Sequence, residues 1–141
     1  MKLNKQQREA LHAKFGGKCA YCGCELPKKW HADHIEPIYR KSKLVETKNG
    51  YWVSRNTGEF NKPQLDCIDN LNPSCPQCNK YKHTLTIDKF RKELELQTER
   101  LIKQSVNFRF ALKYEQLQLT PKPIIFYFEK VAEKEVSDEN N

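Results

Sequence analysis

The sequence predicts a single domain of the α+β class, and three observations lead to that prediction. Apolar residues recur at helical spacing near the N-terminus and again between residues 86 and 103. Between these regions lies a turn-rich segment with the composition of a β-hairpin. Two Cys-x-x-Cys pairs flank that segment, Cys19 with Cys22 and Cys75 with Cys78. A chain of 141 residues can bury one modest core, so these parts are expected to fold together.

Composition indicates a polar protein that does not enter a membrane. Hydrophobic residues make up 38% of the chain and charged residues 30%. No apolar run approaches the length of a membrane span, and the N-terminus lacks the apolar segment of a signal peptide. We therefore expect a cytoplasmic protein. Because cytoplasmic thiols stay reduced, the six cysteines are expected to be metal ligands before disulfides.

The formal charge of +7 is unevenly distributed along the chain. Residues 129–141 carry five acids and two lysines, which leaves a charge of +10 on residues 1–128. A basic body predicts a polyanionic partner such as nucleic acid, although many soluble proteins are basic without binding one. Residues 129–141 are expected to form a disordered acidic tail outside the domain of residues 1–128.

Helices are predicted on both sides of the cysteine pairs. Asn4 and Gln7 have the spacing of a capping box, which predicts a helix over residues 6–15 that ends at two glycines. Residues 79–83 are expected to start a second helix, followed by a long one over 86–103 that resumes over 108–119.

The chain beyond these helices is expected to change from helix to strand. Pro121 and Pro123 should end the last helix, because proline cannot continue one. The β-branched and aromatic residues at 124–128 predict a buried strand.

The two cysteine pairs together predict a structural zinc site. Four thiolates can converge on one tetrahedral ion, which leaves no open position for catalysis. A thioredoxin-type redox pair is the alternative, but no strand and helix flank the first pair as that motif requires. Cys24 and Cys67 are left over, and Cys24 is close enough to Cys22 to replace it as a ligand.

The pair Asp33-His34 lies between the cysteine pairs and combines two kinds of chemistry. A carboxylate is a hard oxygen ligand that suits Mg²⁺ or Mn²⁺. Imidazole is the most natural general base near neutral pH. Alone, such a pair is more often part of a surface turn than of a site.

Residues 39–63 mix positive charge with aromatic side chains. Asn49-Gly50 is a strong hairpin signal, and Asn56-Thr57-Gly58 is a second turn signal. This composition is typical of a strand or loop on a phosphate backbone, but a solvated hairpin explains it equally well. The basic candidates in this segment are Lys41, Lys43, Lys48 and Arg55.

Four ordered motifs resemble those of the HNH endonucleases, in particular the small, free-standing, zinc-bearing members of phages and bacteria. The resemblance covers residues 15–83, about half of the chain. The motifs are Cys19-x-x-Cys22, Asp33-His34-Ile35-x-Pro37, Asp69-Asn70-Leu71 and Cys75-x-x-Cys78-Asn79-x-x-Lys82.

The resemblance implies a ββα-metal fold, in which two antiparallel strands precede a helix that completes the site. Asp33 and His34 would lie on the first strand, as metal ligand and general base. Asn70 would lie near the connection and orient His34 by a hydrogen bond, and Asn79 would open the helix as second metal ligand. Many members carry histidine where this chain has Asn79, and an amide oxygen favours Mg²⁺ or Mn²⁺ over softer ions. His83 is either a further ligand or an ordinary surface histidine.

The implied activity is metal-dependent hydrolysis of DNA, mainly double-stranded, to 3′-hydroxyl and 5′-phosphate ends. One site per chain implies nicking by a monomer or homodimer, in the cytoplasm of a bacterial host. Lys82 joins the four basic residues above as a phosphate contact, and a phage-packaging partner follows from the resemblance alone. Two alternatives are a non-catalytic zinc-ribbon module and a nuclease directed at RNA. Target sequence and biological role stay open.

Overall fold

Two separate antiparallel sheets make up the β part of the protein, whose computed structural model describes residues 2–139. Strands β1 (His31–His34) and β4 (Leu71–Ser74) form one sheet, with Asp33 opposite Asn72. Strands β2 (Arg40–Glu46) and β3 (Trp52–Phe60) form the other sheet. The prediction of an α+β fold is confirmed.

The N-terminal helix α1 (Lys5–Ala13) has the predicted capping box. The Asn4 side chain accepts a hydrogen bond from the Gln7 backbone at 2.8 Å, and the Gln7 side chain accepts one from the Asn4 backbone at 3.0 Å. The helix ends two residues before the predicted end, and Gly16 and Gly17 then adopt φ values of +60° and +75°. Glycine adopts this left-handed conformation without strain.

The hairpin of β2 and β3 has one turn, at Asn49-Gly50, and the second predicted turn is wrong. Residues 56–58 lie inside β3, where Gly58 has a φ of +82°. The pairing register shifts between Arg40 and Ser42, and the Thr57 hydroxyl donates to the Lys41 carbonyl at 3.0 Å. The glycine therefore accommodates a bulge in the strand instead of reversing the chain.

Four short helices follow β4, where fewer and longer ones were predicted. They are α2 (Pro76–Lys82), α3 (Ile87–Glu95), α4 (Gln97–Gln104) and α5 (Val106–Lys113).

The boundaries of these helices follow from local caps. Helix α2 begins three residues before Asn79, because Cys75 caps it by accepting a hydrogen bond from the Cys78 backbone at 3.5 Å. The fourth of these helices, α5, begins after Ser105, whose side chain caps it by accepting a hydrogen bond from the Phe108 backbone at 3.1 Å. It ends before Glu115, whose φ is +58°.

Two predictions for the C-terminal segment are wrong. Residues 124–128 form no strand, and the predicted disordered tail forms helix α6 (Tyr127–Glu139); residues 140 and 141 lie outside the described part. The backbone of Tyr127 donates to the Tyr21 carbonyl at 3.0 Å, which fixes the start of α6 beside the first cysteine pair. Glu129 pairs with Arg91 of α3, and this contact lowers the pKa of the Glu129 carboxyl.

The main core is an aromatic cluster beside the cysteines. The rings of Tyr21, Phe90 and Phe126 lie 5.2–5.6 Å apart, and Cys19 and Cys75 belong to the same buried cluster. A second cluster of Leu11, Trp30 and Leu71 joins α1 to the β1–β4 sheet. The cysteines are therefore structural parts of the core as well as potential ligands.

Phe126→Ala is expected to destabilise the protein by about 3–5 kcal/mol, because truncating a buried phenylalanine leaves a cavity. Phe126 is buried, as the sequence predicts, but it packs against Tyr21 and Phe90 just before α6 and not within a strand. Urea denaturation would measure the loss. The matched control is Phe110→Ala, since Phe110 is 53% exposed and should change stability by only about 0.5 kcal/mol. Equal losses in the two variants would contradict the described docking of residues 124–128.

Candidate metal centre and active site

The four predicted cysteines lie together and can hold a metal ion such as zinc. The sulfur atoms of Cys19, Cys22, Cys75 and Cys78 lie within 4.8 Å of one another, and Cys22 and Cys75 are 3.9 Å apart. Four thiolates at the usual Zn–S distance of about 2.3 Å would have their sulfurs about 3.8 Å apart. The donor set and its spacing therefore fit tetrahedral zinc.

Local backbone structure brings the two pairs together. The first pair lies on a loop after α1, whose Ala20 backbone donates to the Pro73 carbonyl of β4 at 2.9 Å. The second pair begins directly after β4 and continues into the first turn of α2. Gly23 has a φ of +74°, and a Cβ there would lie 2.8 Å from the Tyr127 ring. The loop therefore needs a glycine both for its conformation and for the docking of α6.

The thiols interact with one another and with the backbone. A hydrogen bond from Cys78 lowers the pKa of Cys19 to about 4, although burial acts in the opposite direction. The Cys75 backbone also donates to the Cys19 sulfur at 3.3 Å. Cys24 is exposed and lies outside the four-thiol cluster, so Cys22 keeps its place as the predicted ligand. Cys67 also lies outside it.

Asp33 lies on β1, as predicted, and its side chain is buried beside two donors. Its Oδ2 atom accepts hydrogen bonds from the Tyr21 hydroxyl and from Lys82 Nζ, the latter at 2.9 Å. Burial, and after it the Asp33 charge, raise the pKa of Tyr21, which keeps the phenol protonated as a donor. No sequence motif marks Tyr21 as part of the site, because it is one of the two variable residues within the first Cys-x-x-Cys pair.

Lys82, which was predicted to contact phosphate from the surface, is buried instead. Its side chain has 0% exposure, and besides Asp33 it donates to the His34 carbonyl at 2.6 Å. A buried ammonium needs such partners, because its desolvation is otherwise unfavourable by several kcal/mol. Lys82 therefore fixes the end of α2 against β1.

The remaining oxygen of Asp33 and the side chain of Asn79 fit a divalent ion. Asp33 Oδ1 and the Asn79 amide have no hydrogen-bond partner among residues 2–139, and no unpaired side-chain oxygen or nitrogen is buried there. Both groups therefore reach solvent. Asn79 is half-buried and lies one turn before Lys82 in α2, as its fourth residue and not its first. Carboxylate and amide oxygens are ligands that Mg²⁺ and Mn²⁺ accept.

His34 lies at the end of β1 and contacts an acid that sequence analysis missed. Its Nε2 atom lies 3.0 Å from Oδ1 of Asp66, and both side chains are largely shielded from solvent. Its Nδ1 atom has no hydrogen-bond partner in the described part of the chain and reaches solvent. Asp66 lies at the end of a turn (Pro63–Leu65) that no motif marks.

Asn70 lies just before β4, as expected, but it does not bond to the imidazole. Its amide donates to the carbonyls of Glu36 and Leu65 and accepts from the Glu36 backbone, each at 2.9 Å. The predicted direct contact with His34 is therefore wrong, because the Asn70 amide forms its hydrogen bonds with these backbone groups instead. Asn70 instead joins two segments of the chain.

The remaining candidates are on the surface. His83 follows the last residue of α2 with a φ of +48°, and its Nδ1 lies 3.0 Å from the Thr84 hydroxyl. Lys41 pairs with Glu59 at 3.3 Å, whereas Lys43 and Arg55 lie directly opposite each other on the hairpin. Lys48 lies at the exposed hairpin turn.

No protein-family model, no curated protein and no solved structure matches this chain. Within residues 2–139, none of the helices has the length and apolar character needed to cross a membrane. The function is therefore inferred from the motifs and from the contacts described above.

Proposed function

We propose that the protein is a metal-dependent HNH endonuclease that hydrolyses DNA phosphodiester bonds and nicks one strand at a time. The observation that supports the proposal is the arrangement around β1. Asp33 and His34 end a strand that pairs with β4, and the helix directly after β4 carries Asn79 and contacts both residues through Lys82. This arrangement supports the proposal, because the sequence motifs imply two antiparallel strands followed by a helix, with the four cysteines clustered beside them.

The residues around β1 have separate roles in the proposed hydrolysis. Nδ1 of His34 accepts a proton from water, while the new P–O bond forms and the bond from phosphorus to the 3′ oxygen breaks; the departing 3′ oxygen takes a proton from solvent. The products carry a 3′-hydroxyl and a 5′-phosphate. Asp33 and Asn79 would hold the divalent ion, which would supply charge stabilisation at the scissile phosphate. Tyr21 and Lys82 hold Oδ2 of Asp33, which directs the other oxygen outward.

The hairpin of β2 and β3 is proposed as the surface that contacts DNA. Nearly all of its residues are exposed, including Tyr51 and Trp52 beside the turn. Lys43 and Arg55 face each other across the strands, and like charges in that position destabilise a sheet. A phosphate backbone would offset this repulsion, and a two-stranded ribbon fits the major groove. These observations favour DNA contact over a merely solvated hairpin.

Removing two hairpin charges is expected to weaken DNA binding and its salt dependence. A plot of log affinity against log salt concentration has a negative slope. In the double variant Lys43→Ala/Arg55→Ala this slope should become less steep, by about 0.9 for each phosphate that the variant no longer neutralises. The control is Lys130→Ala/Lys134→Ala, which removes the same charge from α6. Fluorescence anisotropy with a short duplex at several salt concentrations measures both slopes. Identical slopes in the two double variants would assign the binding to another surface.

The activity itself is tested with supercoiled plasmid at low protein concentration, with Mg²⁺ or Mn²⁺. The residues Asp33, His34, Asn70 and Asn79 occur as one set in the chain, so one encounter should cut one strand. Open circles should form first, and linear DNA should form only as nicks accumulate. Linear DNA at the earliest times would mean that two sites act together.

The same assay separates the alternatives. Binding without cleavage in either metal would favour the zinc-ribbon module. Cleavage of a structured RNA in preference to plasmid would reassign the substrate. Each outcome leaves the structural role of the four cysteines unchanged, because that role does not depend on the reaction.

A further inference from the structure

We propose that Asp66 is the positioning partner of His34, which holds the imidazole so that Nε2 carries the proton and Nδ1 is the nitrogen that accepts one from water. The inference rests on the proposed function for the role of His34 as base. It assigns to Asp66 the orienting role that the sequence motifs gave to Asn70.

The contact itself defines which nitrogen is free. His34 Nε2 and Asp66 Oδ1 are 3.0 Å apart, a normal hydrogen-bond length. An ionised carboxylate can only accept, so Nε2 must be the donor and the neutral ring then has its lone pair on Nδ1. Nδ1 is the nitrogen that reaches solvent, so the Asp66 contact leaves the reactive side of the ring open.

Burial distinguishes this pair from an ordinary surface ion pair. The exposed fractions of the two side chains are 25% for His34 and 14% for Asp66. Exposed ion pairs are often loose and contribute little, because solvent screens them and the side chains lose entropy. Here the Asp66 backbone is also fixed, since it donates to the Pro63 carbonyl at 3.1 Å.

Asn70 holds the segments that carry Asp66 and His34 next to each other. It bonds to Leu65, the residue before Asp66, and to Glu36, two residues after His34. The Asn70 carbonyl also accepts from the Ile35 backbone, next to His34, at 2.9 Å. Asn70 therefore clamps the segment that carries the acid to the segment that carries the histidine. Its effect on the imidazole passes through Asp66.

Kinetics and NMR of the zinc-loaded full chain test the inference. Asp66→Ala should lower kcat for plasmid nicking by about 10–100-fold with little change in KM, by analogy with the loss that follows removal of the carboxylate partner of a metal-binding histidine. Asp66→Asn should retain more activity, because its amide oxygen can still accept from Nε2. The control is Asp69→Ala, which removes an exposed carboxylate three residues away. Melting temperatures of all variants identify any loss of fold.

The NMR readout requires no activity. Nitrogen-15 spectra of the neutral ring should show the His34 Nε2–H proton protected from exchange in the wild type, weakened in Asp66→Asn and lost in Asp66→Ala. A wild-type protein with this signal but without cleavage in either metal would refute the nuclease and retain the hydrogen bond. Absence of the signal in the wild type would overturn the inference, as would wild-type kcat in Asp66→Ala. If Asp66→Ala does not fold, Asp66→Asn with wild-type kcat and no Nε2–H signal overturns it equally.

Discussion

Cys75→Ser should leave a protein that is largely unfolded at ordinary temperatures. Structural zinc in small domains contributes on the order of 10–16 kcal/mol to folding. Whole domains are stable by only about 5–15 kcal/mol, so the loss of the ion can exceed the entire stability. Cys75 is also buried in the core cluster with Tyr21, Phe90 and Phe126, and it caps α2. The substitution therefore disturbs the ion, the core and the helix together.

Two measurements and one control test this result. Elemental analysis should give one zinc per wild-type chain, and circular dichroism should show a large fall in melting temperature for Cys75→Ser or a loss of soluble protein. Cys24→Ser is the control, because Cys24 lies outside the four-thiol cluster and is exposed. Wild-type protein that is folded and free of metal would refute the zinc site.

The sequence was informative where a short segment determines its own structure. The capping box of Asn4 and Gln7, the turn at Asn49-Gly50 and the Cys-x-x-Cys loops each depend on neighbouring residues. Such signals are physical preferences of a few backbone torsions and hydrogen bonds, which the rest of the fold did not overrule.

The remaining parts depend on contacts between distant segments. Residues 129–141 were expected to form a disordered tail because they are acidic, but residues 129–139 belong to α6. The start of this helix is held by the preceding Phe126, buried against Tyr21 and Phe90, and by the hydrogen bond from the Tyr127 backbone to Tyr21. Composition cannot reveal this packing, since Phe126 stands more than a hundred residues from Tyr21 in the sequence. The same limit applies to Asp66, which is 32 residues from His34.

Lys82 shows how one buried contact changes the choice of experiment. A lysine in a basic protein was expected on the surface, but this one is the ionic partner of Asp33. Asp33→Ala would leave the ammonium buried without its partner, which typically destabilises a protein by about 3–5 kcal/mol. A loss of activity in the Asp33→Ala variant could therefore come from misfolding as well as from lost metal binding, and the activity alone would not distinguish the two causes. Within residues 2–139, the His34 side chain has no buried ionic partner apart from Asp66, so its removal tests the chemistry more directly.

His34→Ala is expected to reduce cleavage by at least about 10²–10⁴-fold, the usual contribution of a general base, while the fold and DNA affinity stay close to wild type. Affinity is measured by anisotropy without divalent ions, and cleavage by the rate of open-circle formation. His31→Ala is the matched control, because His31 is an exposed histidine on the same strand and has no hydrogen-bonded acid in the described part of the chain. If cleavage fell equally in both variants, the effect would come from disturbing β1. If His34→Ala cut DNA at the wild-type rate, another group would be the base, and the roles assigned to Asp66 and Asn70 would lose their basis.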